Sequence, residues 1–189
     1  ITDHISDYLF APTRASEKNL RDEGIGRKEL LYYNKQFTPK IFLTGNTIVD
    51  AVHQNLGRAH KTSKITNHLD LKNQEYFLVT AHREENVDYK ERLLGIIKSL
   101  NDVYETHGLP IVYQIHPRTK KRIQEFNLLD KIKKIKGLKL IEPVGFLDLL
   151  KLQSNAKLIL TDSGGIQEES CSLKVPCVVL RDTSDRPES

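Results

Sequence analysis

The 189 residues hold 29 Lys and Arg against 25 Asp and Glu, a net charge of +4, with 38% hydrophobic and 29% charged residues, an ordinary soluble composition. No apolar run approaches the roughly 20 residues of a membrane span, no secretory signal is visible, and the basic clusters Lys120, Lys121, Arg122 and Lys131, Lys133, Lys134 read as solvated helix faces rather than a nucleic-acid stripe. The two cysteines, Cys171 and Cys177, lie close together without metal-ligand partners and are expected to be buried thiols of a reduced, cytoplasmic protein. The length suits one domain over residues 1–189, and a chain that opens on Ile1 and holds no methionine is expected to be a piece of a longer protein.

In chain order, short apolar runs at 8–11, 41–44, 76–80, 111–115, 138–141, 158–161 and 177–180 read as buried strands. Helical stretches fall between them at 13–23, 47–60, 89–106, 120–126, 146–153 and 166–173, as in the spacing of Leu93, Ile96, Ile97 and Leu100. The polar stretch 61–73 reads as a long surface loop. This alternation predicts an α/β fold, a doubly wound, mostly parallel sheet.

The unusual polar residues follow predicted strand ends: Thr44-Gly45-Asn46, His82-Arg83, His116-Pro117-Arg118, Asp162-Ser163-Gly164-Gly165 and Arg181. In an open parallel sheet those ends line the ligand crevice, and this mixture of anion donors and imidazoles points to a phosphate-bearing ligand. The Asp162–Gly165 turn is the clearest, because Ser163, Gly164 and Gly165 would open a helix whose unpaired N–H groups favour an anion. Its plainer alternative is a serine N-cap with Glu168 and Glu169 offsetting the helix dipole. Gly24-Ile25-Gly26 lacks the dinucleotide spacing, no GxxxxGK exists, and neither HExxH nor a four-residue histidine spacing supports a metal.

Together, TGNTIVDAV at 44–52, TAHREENV at 80–87, IHP at 115–117 and LTDSGGIQEE at 160–169 resemble the non-hydrolysing UDP-N-acetylglucosamine 2-epimerases, as does RDTSDRPE at 181–188. The resemblance implies a GT-B-type enzyme of two Rossmann-like halves, of which this chain is the C-terminal, UDP-binding half. It implies that Ser163, Gly164 and Gly165 hold the diphosphate, that Glu169 takes the ribose hydroxyls, and that His82 stabilises or protonates the departing UDP oxygen. Arg83 and His116 resemble residues contacting nucleotide sugar at or beside the site, and Arg186 belongs to the family's Arg-containing stretch. The family often has arginine where Glu84 stands, asparagine where Arg118 stands, an aromatic where Leu149 falls and glutamate at Asp185, and Phe146 could supply the missing aromatic surface.

The implied reaction inverts C2 of the sugar by elimination of UDP and its re-addition, with no redox cofactor, in a homodimeric parent. The base for the C2 proton would lie in the N-terminal half. A GT-B glycosyltransferase donor domain and a non-catalytic nucleotide-sugar sensor are the alternatives.

Overall fold

The computed structural model describes residues 2–26, 30–32 and 35–183. The chain divides into two compact units, Ile1–Ala51 and Val52–Ser189.

In the first unit, β1 (Tyr8–Ala11) pairs in parallel with β4 (Lys40–Leu43), while β2 (Leu30–Tyr32) and β3 (Lys35–Phe37) form an antiparallel pair that apolar periodicity alone had not signalled. Between β1 and β2 lie α2 (Arg14–Asp22) and its cap, Thr13, whose hydroxyl accepts the Ser16 N–H at 3.0 Å. A short α1 (Thr2–Ile5) precedes β1. The Thr44-Gly45-Asn46 turn follows β4 and so belongs to this two-stranded sheet, whereas the other polar motifs follow strands of the second unit. A strand's period marks its exposure to a core, not which sheet it joins.

The second unit is built on five parallel strands, β5 (Phe77–Thr80), β6 (Ile111–Gln114), β7 (Leu138–Ile141), β8 (Leu158–Thr161) and β9 (Cys177–Val179), in the order β7-β6-β5-β8-β9. The chain moves outward one way from β5 through β6 to β7, then returns to pair β8 on the other side of β5. That reversal is the topological switch point of a doubly wound sheet, where a crevice opens beyond the strand ends.

Alternation along the central strand explains the two layers. Phe77 and Val79 join a cluster with Leu93, Ile97 and Leu100 of α6 (Lys90–His107), Ile123 of α7 (Pro117–Glu125) and Ile132 of α8 (Leu129–Lys133). Leu78 joins a separate cluster with Leu152 of α9 (Phe146–Asn155) and Ile166 of α10 (Gly164–Leu173). With a side-chain period of two, one strand thus feeds both faces, and a strand covered on both sides reads as an unbroken apolar run.

Two expectations change. The 61–73 stretch is not a bare loop: α3 (Thr47–Thr62) runs into it and α4 (Ile65–His68) follows, with Ile65, Leu69 and Leu71 packed on the second cluster. Three apolar residues among polar neighbours are enough to pin a single turn. Nor are both thiols buried, since Cys171 lies exposed on α10 and Cys177 is half-buried; both are free. Lys120 and Lys121 of α7 are solvated, as expected, and each also meets a carboxylate, Lys121 with Glu125 at 3.7 Å and Lys120 with Glu142 at 2.6 Å. Among the described residues, no helix is long and apolar enough to cross a membrane.

Candidate nucleotide site

The two strands flanking the switch point end on threonines. Thr80 of β5 and Thr161 of β8 stand opposite each other, and their hydroxyls share a hydrogen bond of 2.6 Å. Thr161 Oγ1 also accepts the Ser163 N–H at 3.0 Å, which turns the chain out of β8 into α10.

Ser163 is the N-cap of α10, yet its side chain makes no capping hydrogen bond. The plainer reading of this serine required that bond. Behind it, the first N–H groups of the helix have no intrahelical acceptors, as at any helix start, and they carry the positive end of its dipole. Gly164 is buried, and a Cβ added at Gly165 would meet nothing nearer than Ser163 Oγ at 4.0 Å. The turn therefore offers a hydroxyl, and backbone donors without intrahelical acceptors, to an incoming anion.

Across the switch point, His82 and Arg83 follow β5, with Arg83 capping the short α5 (Glu84–Val87). His116 follows β6 as the cap of α7, accepting the Arg118 N–H on Nδ1 at 3.2 Å. The His82 and His116 rings approach to 5.5 Å between centroids. Burial holds the His82 imidazole below its ordinary pKa, against an upward pull from Asp162, while His116, Arg83 and Arg118 add to the lowering.

On α10, Glu169 is half-buried, and its Oε2 accepts a hydrogen bond of 2.6 Å from Gln153 Nε2 of α9. Burial raises the Glu169 pKa; the Gln153 bond opposes this and Glu168 adds to it. Gln153 is fully buried on α9, the helix opened by Phe146, a residue 45% exposed. Gln153 stands seven positions after Phe146, about two helical turns, so both lie on one side of α9. Arg186 lies outside the described residues.

Two departures from the family pattern face each other. Arg118 Nη1 lies 3.0 Å from Glu84 Oε1, and the same guanidinium holds Asp88 together with Arg122, whose Nε lies 2.9 Å from Asp88 Oδ1. The positive charge expected at position 84 is thus carried by its ion-pair partner at position 118.

Three residues of this neighbourhood had no assigned role in the sequence reading: Asp162, Asn86 and Gln153. Asp162 stood among the polar rim residues but is itself fully buried, Asn86 lay within the TAHREENV motif without a role of its own, and Gln153 stood only at the end of a predicted helix.

The family model for UDP-N-acetylglucosamine 2-epimerase matches residues 1–189. The chain belongs to the UDP-N-acetylglucosamine 2-epimerase family. It is 51% identical to the UDP-N-acetylglucosamine 2-epimerase of Methanocaldococcus jannaschii, over all of this chain and 49% of the relative. To the enzyme of that name from Methanococcus maripaludis it is 46% identical, with the same two coverages. The chain thus spans about half the length of these epimerases. The crystal structure of the Methanocaldococcus jannaschii epimerase in complex with UDP-GlcNAc and UDP superposes on 99% of this chain and 49% of its own, with a TM-score of 0.85 and 52% identity. The Neisseria meningitidis epimerase bound to UDP-GlcNAc does so over 99% and 48%, with a TM-score of 0.81 and 33% identity.

Proposed function

We propose that this chain supplies the UDP-binding half of a UDP-N-acetylglucosamine 2-epimerase, which interconverts UDP-GlcNAc and UDP-ManNAc by eliminating UDP and adding it back to the opposite face of the sugar. The observation that carries this reading is the unspent N-terminus of α10 at the switch point, with His82 across the crevice from it. In the bound state the diphosphate lies against Ser163, Gly164 and Gly165, and the ribose diol lies on Glu169, whose carboxylate can accept two hydrogen bonds. Phe146 offers its exposed ring to the uracil. Arg83 and His116 take up the remaining negative charge beside His82, and Arg186 is assigned to substrate binding.

The chemical division follows from what elimination requires. As the bond between C1 and the UDP oxygen breaks, charge develops on the diphosphate, where the α10 N-terminus, Arg83 and His82 can stabilise it. The C2 proton must go to a base, which we place in the N-terminal half of a GT-B-type parent. That parent is homodimeric and cytoplasmic in this reading, in keeping with the two free thiols.

Calorimetric titration of the chain with UDP and with NAD tests the binding role. Saturable binding of UDP alone is expected, since an anion turn and a diol-binding carboxylate are present without the dinucleotide fingerprint. Binding of NAD with no response to UDP refutes the assignment.

A further inference from the structure

Among the described residues, Asp162 is the only buried acidic side chain. Its two oxygens are used differently. Oδ2 accepts the backbone N–H groups of His82 and Arg83, each at 2.8 Å, and the Asn86 side-chain amide at 3.0 Å. Oδ1 is equally buried and receives no hydrogen bond of good geometry, but His82 Nδ1 stands 3.2 Å from it. One carboxylate therefore fixes both the backbone that carries His82 and the near edge of its ring. Asn86 anchors the arrangement from the other side, its amide also donating to the Leu180 carbonyl at 2.7 Å.

A carboxylate facing Nδ1 decides the tautomer, because only a protonated Nδ1 meets it favourably. That leaves Nε2, on the far edge of a ring whose side chain is 36% exposed, as the nitrogen open to a ligand. We propose that Asp162 is the positioning residue for His82, holding a proton on Nδ1 so that nucleotide-sugar binding is accompanied by uptake of a second proton at Nε2. The inference rests on the reading of His82 as a neighbour of the diphosphate. In this tautomer a neutral ring turns a lone pair toward the phosphate oxygens, whereas the imidazolium turns an N–H and makes a charge-assisted bond.

The charged groups around His82 set the sign. Asp162, at the end of β8, favours the imidazolium; burial, His116 at the end of β6, Arg83 in its own loop and Arg118 on α7 oppose it. The free ring is thereby kept mostly neutral near pH 7, and an arriving diphosphate adds the negative charge that reverses the balance. One proton from solvent joins the ring, and no covalent bond to the ligand changes.

UDP-N-acetylglucosamine is the probe, because its diphosphate is esterified at both ends and has no proton of its own to exchange near neutral pH. Calorimetric titration of the chain at roughly pH 8, above the ordinary histidine value of about 6.5, is run in two buffers of different ionisation enthalpy. Net proton uptake is expected in the wild type, its loss in His82→Gln, and a reduction of about twofold or more in Asp162→Asn, since the amide no longer offers the ring a charged partner. Binding with equal enthalpy in both buffers overturns the inference and leaves the nucleotide assignment standing. Absence of binding removes that assignment instead, and the imidazole nitrogen shifts of His82 in the free chain then decide. A neutral ring protonated at Nδ1 supports the role of Asp162, and one protonated at Nε2 overturns it, whether or not the Asp162→Asn variant folds.

Discussion

Glu169 stands between two demands. Its burial disfavours the charge that a diol-binding carboxylate needs, and its pKa is raised accordingly. Glu169→Gln keeps an oxygen for Gln153 Nε2 while removing the charge. A raised folded-state pKa contributes stability that is present below the unfolded value and lost as pH rises through the folded one. At pH 7 the glutamine variant is therefore expected to melt higher than the wild type, with the gap closing as pH falls toward the carboxylate range, as thermal scans across pH would record. UDP binding should move the opposite way, weakening by about 1.5 to 3 kcal/mol, the scale of a hydrogen bond to a charged group. Glu168→Gln serves as the adjacent control; an equal loss of affinity there would return both residues to a helix-dipole role.

At the scale of elements, the turn that launches β7 and the ion pairs behind the rim make separable contributions. Gly137 has φ +70°, and a Cβ there would run into the ring of Tyr104 on α6. Gly137→Ala meets both a backbone penalty of roughly 1 to 2 kcal/mol and this collision, so denaturant melts should show a larger loss than the backbone term alone. The turn precedes β7, at the opposite end of the sheet from the strand ends that form the rim, so UDP affinity should be unchanged. Adding Tyr104→Ala removes the ring but opens a cavity, so the pair should be non-additive, which a double-mutant cycle would register. On α7, Arg118 and then Arg122 lower the Asp88 pKa to about 2. A depressed carboxylate contributes stability above its unfolded value that is lost as pH falls toward the folded one, so Asp88→Asn should flatten the pH dependence of stability between about pH 4 and pH 2.

For the whole molecule, the second unit offers one wall of a crevice and a means of stabilising a departing diphosphate. We place no base for the C2 proton within it. Incubated with UDP-N-acetylglucosamine in deuterated water, the 189-residue chain is expected to yield neither the manno epimer nor deuterium at C2. The full-length protein should yield both, because elimination and re-addition exchange that proton with solvent. Epimerisation by the chain alone would place the base among these residues.

Periodicity and punctuation by themselves located β1, β7 and β8 to the residue, and the Asp-Ser-Gly-Gly turn, because a short apolar run bounded by polar residues and a helix start on glycine leave local signatures, although Tyr8 and Phe10 of β1 lie exposed. They did not reveal that β1 and β4 form a sheet of their own, since pairing joins residues about 30 positions apart and nothing local encodes the partner. They could name His82 but not what holds it. The Asp162 carboxylate reaches His82 across 80 residues of sequence, and Gln153 reaches Glu169 from a neighbouring helix. Polar residues that follow strand ends can be read from residue type and loop position. Those that orient them are chosen by burial and by the geometry of two chain segments brought together, which only the tertiary fold decides.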